Sequence, residues 1–135
     1  MIGVIDIAGD CVQWTFPADP CAVATARARV RGQLGDWGVE AVADVGALLV
    51  SELVTNSLRY TAGPIVVRLA RPPLRPGALL VEVSDPVPDL PSFRIPAADD
   101  ENGRGLQLVA GQTSRWGARQ AGTGKAVWFE LSLPG

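Results

Sequence analysis

The chain has 135 residues, 47% of them apolar, which is enough for one sizeable hydrophobic core and too few for two ordinary domains. Its 12 basic and 14 acidic side chains give a formal net charge of -2, which offers no general attraction to nucleic acid or to an anionic membrane. The absence of histidine excludes a Ser-His-Asp triad, a Cys-His pair and an imidazole metal site. We therefore expect a single domain over residues 1–135 without a nucleic-acid or membrane partner.

The cysteine content and the composition of the N-terminal residues indicate the cellular compartment in which the protein acts. Cys11 and Cys21 are too few for a zinc cluster and lack CxxC spacing, so two unpaired thiols are expected. The first ten residues carry Asp6 and Asp10 but no basic side chain, unlike a signal peptide. No run of about 18 uncharged apolar residues occurs. These features predict a cytoplasmic protein.

Hydrophobic periodicity and the positions of Gly and Pro predict the elements of the fold. In chain order we expect a strand over 11–17, a helix from 19 or 20 to about 35, a helix over about 40–60, strands over 65–70 and 78–85, a short helix from 103, and strands over 113–119 and 126–133. Residues 86–102 contain four prolines and an acidic cluster, a composition typical of a long lid or binding loop. This order predicts an α+β two-layer sandwich, with a mixed, mostly antiparallel sheet and helices on one face.

Two polar residues border the apolar stripe of the second predicted helix. Glu52 and Asn56 lie four residues apart and therefore on one helix face, next to Leu49 and Leu53. A carboxylate at such a position can accept a proton from a nucleophile, and an amide oxygen is a hard ligand suited to magnesium. The alternative is a pair that makes ordinary hydrogen bonds at the edge of the core.

A glycine-rich junction precedes the third predicted helix. Gly103, Arg104 and Gly105 stand immediately before an apolar run that begins at Leu106. Glycines let backbone amides approach a phosphate, a helix N-terminus favours negative charge, and Arg104 can add a charge-assisted contact. The junction is either a phosphate cradle or a glycine turn that starts a helix.

Asp85 and Lys125 stand at the ends of two predicted strands. Asp85 either shapes the following turn or, in a cleft, accepts a hydrogen bond from the exocyclic amine of a purine. Lys125 is the only lysine and follows a glycine turn before the last strand. That turn is not a P-loop, because Arg119 and Ala126 stand where the P-loop motif has a glycine and a Ser or Thr.

The order of these motifs resembles that of the Bergerat-fold (GHKL) ATPases, and most closely their small bacterial branch of anti-sigma-factor serine/threonine kinases. The resemblance extends from about Val12 to Leu133 and implies the histidine-kinase-like ATPase fold, ATP and Mg2+ as cofactors, and a lid over about 86–104. It further implies Glu52 as general base, Asn56 as magnesium ligand and Asp85 as the adenine-binding carboxylate. The other implied nucleotide contacts are Gly103, Arg104, Gly105, Leu106 and Lys125.

Two positions depart from the pattern of that family. Val87 stands two residues after Asp85, where the family usually has glycine, and leaves less room for a purine. Lys125 or Ala126 stands where a threonine commonly begins the last strand and helps to hold the adenine. Nucleotide binding is therefore expected, weakened by these departures.

Two functions follow from the resemblance. The first is a regulator that binds Mg-ATP, phosphorylates a Ser or Thr of an anti-sigma-factor antagonist and sequesters a sigma factor. The lack of histidine agrees with it, because the chain cannot phosphorylate itself on histidine. The second is a non-catalytic protein-binding module in which nucleotide sets the conformation of the lid, and Val87 and Ala126 favour it. The family often dimerises, so a homodimer is a further expected assembly.

Overall fold

The computed structural model describes residues 3–6, 11–59, 61, 63–71, 77–87, 115–122 and 124–133. In chain order the elements are β1 (Gly3–Asp6), β2 (Cys11–Phe16), α1 (Cys21–Asp36), a 3-10 helix (Glu40–Val42), α2 (Ala43–Leu58), β3 (Ile65–Ala70), β4 (Ala78–Asp85), β5 (Arg115–Ala121) and β6 (Gly124–Ser132). The helix predicted from residue 103, and the predicted loop over 86–102 apart from Pro86 and Val87, lie outside the described residues.

The two helices form where the apolar periodicity predicts them. The buried stripe of α1 repeats every fourth residue, at Ala22, Ala26, Val30 and Leu34. The second helix is shorter than predicted, because its first turn is the 3-10 helix and α2 itself begins at Ala43. The stretch Glu40–Leu58 is long and apolar enough to pass as a membrane span by length and composition, and 50% of it is buried inside the fold, as expected of a core helix.

The described strands form one sheet in the order β1-β2-β3-β4-β6-β5. The β3–β4 hairpin is confirmed, and β1 adds an edge strand that the sequence patterns did not predict. Every described strand pair is antiparallel, so the parallel pairing that a mixed sheet requires does not occur among them. The predicted α+β class is confirmed.

The two faces of the sheet differ in chemistry. One face packs against α1 and α2 and forms the core with them. Its buried strand residues are Val12, Trp14, Phe16, Ile65, Val67, Leu69, Leu79, Val81, Val83, Val127, Phe129 and Leu131. On the opposite face Glu82 pairs with Arg119 at 2.8 Å and with Arg68 at 3.7 Å. The described helices therefore lie on one side of the sheet, as predicted.

Candidate functional site

A buried ion pair lies at the end of β4. Asp85, the last residue of that strand, is the register partner of Lys125 on β6. Side chains alternate between the faces of a sheet, so this pair follows the pair Val83 and Val127 on the core face. The Lys125 Nζ lies 3.0 Å from Asp85 Oδ1, and the two side chains are 5% and 1% exposed. The charges neutralise each other at the edge of the core.

Two further groups donate hydrogen bonds to the same carboxylate. Ser57 Oγ on α2 donates to Asp85 Oδ2 at 2.8 Å. The backbone N–H of Val87 donates to Asp85 Oδ1 at 2.9 Å, which closes the turn after the strand. Asp85 therefore performs the turn role and, through Ser57, joins β4 to α2. Because a carboxylate has about four acceptor positions, the donors among the described residues leave roughly one, on Oδ2.

Close packing surrounds the backbone of Asp85 and the following Pro86. A Cβ on Gly124 would overlap the carbonyl oxygen of Asp85 and lie 2.8 Å from Pro86 Cα. A Cβ on Gly63, in the segment that follows α2, would overlap the Pro86 ring. Glycine at both positions allows the segment after α2, the turn after β4 and the start of β6 to meet so closely.

Glu52 and Asn56 lie on one flank of α2. Both side chains are half-buried, whereas Leu49 and Leu53 beside them are buried. Neither side chain forms a hydrogen bond or ion pair with another described residue. The two polar groups therefore border the core, as their spacing predicts.

The donor set on α2 suits magnesium. Mg2+ is usually held by one or two protein oxygens together with waters and phosphate oxygens, so it needs no cage of carboxylates. Asn56 offers such an oxygen, and Glu52 stands one turn away. Among the residues that the structure describes, no three His, Cys, Asp or Glu side chains form a metal cluster. A magnesium at Asn56 would thus depend on a bound phosphate for most of its other ligands.

The structure thus joins part of the predicted site. Asp85 and Lys125 are in direct contact, and Ser57 connects them to the turn of α2 that carries Asn56. The predicted lid residues Gly103, Arg104, Gly105 and Leu106 lie outside the described residues.

Comparison with protein-family models and with curated proteins gives no match.

Ser57 and Gly63 are site residues that the sequence patterns did not single out. Ser57 had a detectable signal, because it takes a place in the buried stripe that Val50, Leu53 and Val54 occupy on α2. A hydroxyl at a core position needs a partner, and here the partner is Asp85. Gly63 had no comparable signal, because its role depends on Pro86, which follows it by 23 positions in the chain.

Proposed function

We propose that this protein is an ATP-binding regulator of the anti-sigma-factor kinase type, which binds Mg-ATP and phosphorylates a Ser or Thr of an antagonist protein. The observation that carries the proposal is the 2.8 Å hydrogen bond between Ser57 and Asp85. It joins the last turn of α2, which carries Asn56 one turn after Glu52, to the strand end that holds Asp85. This contact supports a site in which the residues assigned to the metal and to the purine act together.

Each residue has a distinct role in this proposal. Glu52, which has no partner among the described residues, accepts the proton of the attacking hydroxyl. Asn56 holds the magnesium, which neutralises charge on the phosphates. Asp85 accepts a hydrogen bond from the exocyclic amine of the adenine. Phosphoryl transfer depends mainly on positioning and charge neutralisation, so one base and one metal ligand on a rigid helix suffice.

The proposal also names a compartment and partners. A kinase of this type acts in the cytoplasm on an antagonist protein and, when free of it, binds a sigma factor. The buried residues of α2, which pack within the fold, agree with a protein that does not enter a membrane. A homodimer stays a prediction that oligomeric-state measurements can test.

A specific observation favours a second candidate, the non-catalytic protein-binding module. The Asp85 carboxylate is already bound by Lys125, Ser57 and the Val87 amide, and its side chain is 1% exposed. The Asp85 carboxylate therefore has little hydrogen-bonding capacity left for a purine. In this alternative the partner protein binds without phosphoryl transfer, and nucleotide only biases the conformation.

A phosphoryl-transfer assay that compares the wild type with Glu52→Gln separates the two candidates. Radiolabelled ATP is incubated with a candidate antagonist from the same organism and with the wild-type chain, Glu52→Gln or the control Glu40→Gln, which makes the same change at an exposed position. We expect Glu52→Gln to keep nucleotide affinity and to lose labelling by about 100- to 10,000-fold, the usual contribution of a general base.

The outcomes are distinct. Equal labelling by Glu52→Gln and the wild type removes the base assignment. Nucleotide binding without labelling by the wild type supports the non-catalytic module. A parallel loss of affinity, labelling and stability in Glu52→Gln alone indicates that Glu52 is structural.

A further inference from the structure

Lys125 is the only lysine of the chain, and its ammonium group is buried. Burial of an ammonium group is unfavourable unless a counter-charge and hydrogen bonds replace the lost water. The Asp85 carboxylate supplies both the counter-charge and a hydrogen-bond acceptor, with its Oδ1 at 3.0 Å from the Lys125 Nζ. The sheet register places the two residues directly opposite each other, so the contact is built into the pairing of β4 with β6.

The lysine competes with a purine for the same carboxylate. A hydrogen bond between two charged groups is stronger than one from a neutral donor such as the amine of adenine. Three donors already reach Asp85, and its side chain is 1% exposed. A purine amine can reach Asp85 fully only if the ion pair loosens.

We propose that Lys125 is the residue that limits nucleotide affinity, an inference that rests on the proposed function. Its ion pair with Asp85 keeps the carboxylate from the purine until nucleotide displaces the ammonium group. When the binding-competent state is only a fraction of the population, the apparent affinity falls by that fraction. Removal of the ammonium leaves Asp85 as a buried acceptor without its main donor, and the purine amine then satisfies it.

The first test compares the affinity for Mg-ADP of the wild type, Lys125→Met and Arg119→Met by calorimetry. Arg119→Met is the matched control, because it removes another cation that is paired with a carboxylate on the sheet, at 2.8 Å from Glu82 and on the opposite face. We expect Lys125→Met to bind at least about tenfold more tightly than the wild type, a change of about 1.4 kcal/mol. Arg119→Met should bind as the wild type does.

A second test uses the wild-type chain, because loss of one partner of a buried ion pair strongly destabilises a fold. Isotope labelling of lysine side-chain nitrogen produces a single ammonium signal from this chain, because Lys125 is its only lysine. In nucleotide-free protein we expect the Lys125 ammonium protons to exchange slowly with water. On titration with Mg-ADP the exchange should become faster, with the same midpoint as binding.

The outcomes distinguish this inference from the proposed function. If the wild type binds Mg-ADP while Lys125→Met binds no more tightly, the inference is overturned and nucleotide binding stands. The same conclusion follows if the ammonium exchange stays slow at saturation, which decides the matter if Lys125→Met does not fold. If neither protein binds nucleotide, both proposals are overturned.

Discussion

Asp19 shows how one carboxylate sets the chemistry of a helix terminus. Its Oδ1 accepts a hydrogen bond from the backbone N–H of Cys21 at 2.8 Å, and this bond holds the pKa of Asp19 below its ordinary value. The same carboxylate raises the pKa of the Cys21 thiol, first by accepting a hydrogen bond from it and second by repelling the thiolate. A helix N-terminus by itself favours the thiolate, whereas the neighbouring Asp19 carboxylate disfavours it.

We predict that Asp19→Asn makes Cys21 more reactive. With the carboxylate removed, the thiol pKa falls, and alkylation by iodoacetamide near neutral pH should be faster than in the wild type because the thiolate is the reacting species. Mass spectrometry of the labelled protein measures the rate at several pH values. Cys21→Ser is the control, since it leaves only the buried Cys11. Equal rates in wild type and Asp19→Asn would contradict the assignment.

The lowered pKa of Asp19 also links stability to pH. A carboxylate whose pKa is lower in the folded state stabilises the fold above its ordinary value of 3.8, and this contribution is lost as pH falls through the lowered value. The difference in melting temperature between the wild type and Asp19→Asn should therefore shrink in acid. A difference that stays the same in acid would show that the Asp19 charge does not stabilise the fold.

At the scale of elements, the site depends on three segments that meet closely around Asp85. The glycines there are structural requirements, whereas those on the exposed side of α1 are not. Gly124 has the backbone of Asp85 and Pro86 against it, while a Cβ on Gly32 of α1 would have no atom within 4 Å. Substitution of glycine by alanine should therefore have opposite effects on stability at Gly124 and at Gly32.

We predict that Gly124→Ala destabilises the protein and Gly32→Ala stabilises it. At Gly124 the overlapping atoms are backbone and cannot rotate away, so the loss should be at least about 1–3 kcal/mol, the range for overpacked sites. At Gly32, alanine removes the entropic cost of glycine in a helix and should add up to about 1 kcal/mol. Urea denaturation measures both. Equal stability of Gly124→Ala and the wild type would show that β4 and β6 can separate at this point.

At the scale of the whole molecule, a ligand that binds only the folded state raises the melting temperature of the entire domain. The described helices cover one face of the sheet, and Ser57 connects α2 to the strand end at Asp85. A nucleotide bound at this junction would contact both layers. Its effect should therefore appear in global unfolding.

We predict that Mg-ADP at about 100 times its dissociation constant stabilises the domain by roughly 2.7 kcal/mol, equivalent to about 5–10 °C in Tm. Asn56→Ala should reduce the Tm shift produced by Mg-ADP more than the shift produced by ADP in the presence of a chelator, because Asn56 is assigned to the metal. Thr55→Ala, one position away on α2, is the control. No shift for the wild type at millimolar nucleotide would remove ATP binding from the proposed function.

Local patterns in the sequence were sufficient to predict most described elements. The period of two in β3 and β4 and the four-residue repeat of α1 arise from burial of one side of each element, so they are visible without knowledge of the partner. The strand β1 was missed because four residues contain too little of the pattern, and the 3-10 turn before α2 was missed because it continues the same apolar spacing. The relation of Glu52 to Asn56 was equally readable, since a helix fixes it locally.

The surroundings of Asp85 were decided only by the tertiary structure. Asp85 and Lys125 are 40 positions apart, and Ser57 is 28 positions from Asp85, so no local spacing relates them. Their contact follows from the register of β4 with β6 and from the packing of α2 on the sheet, both of which depend on the summed burial of many side chains. The sequence alone predicted which residues take part in the proposed purine and magnesium site, and the fold decided that Asp85 is paired with Lys125.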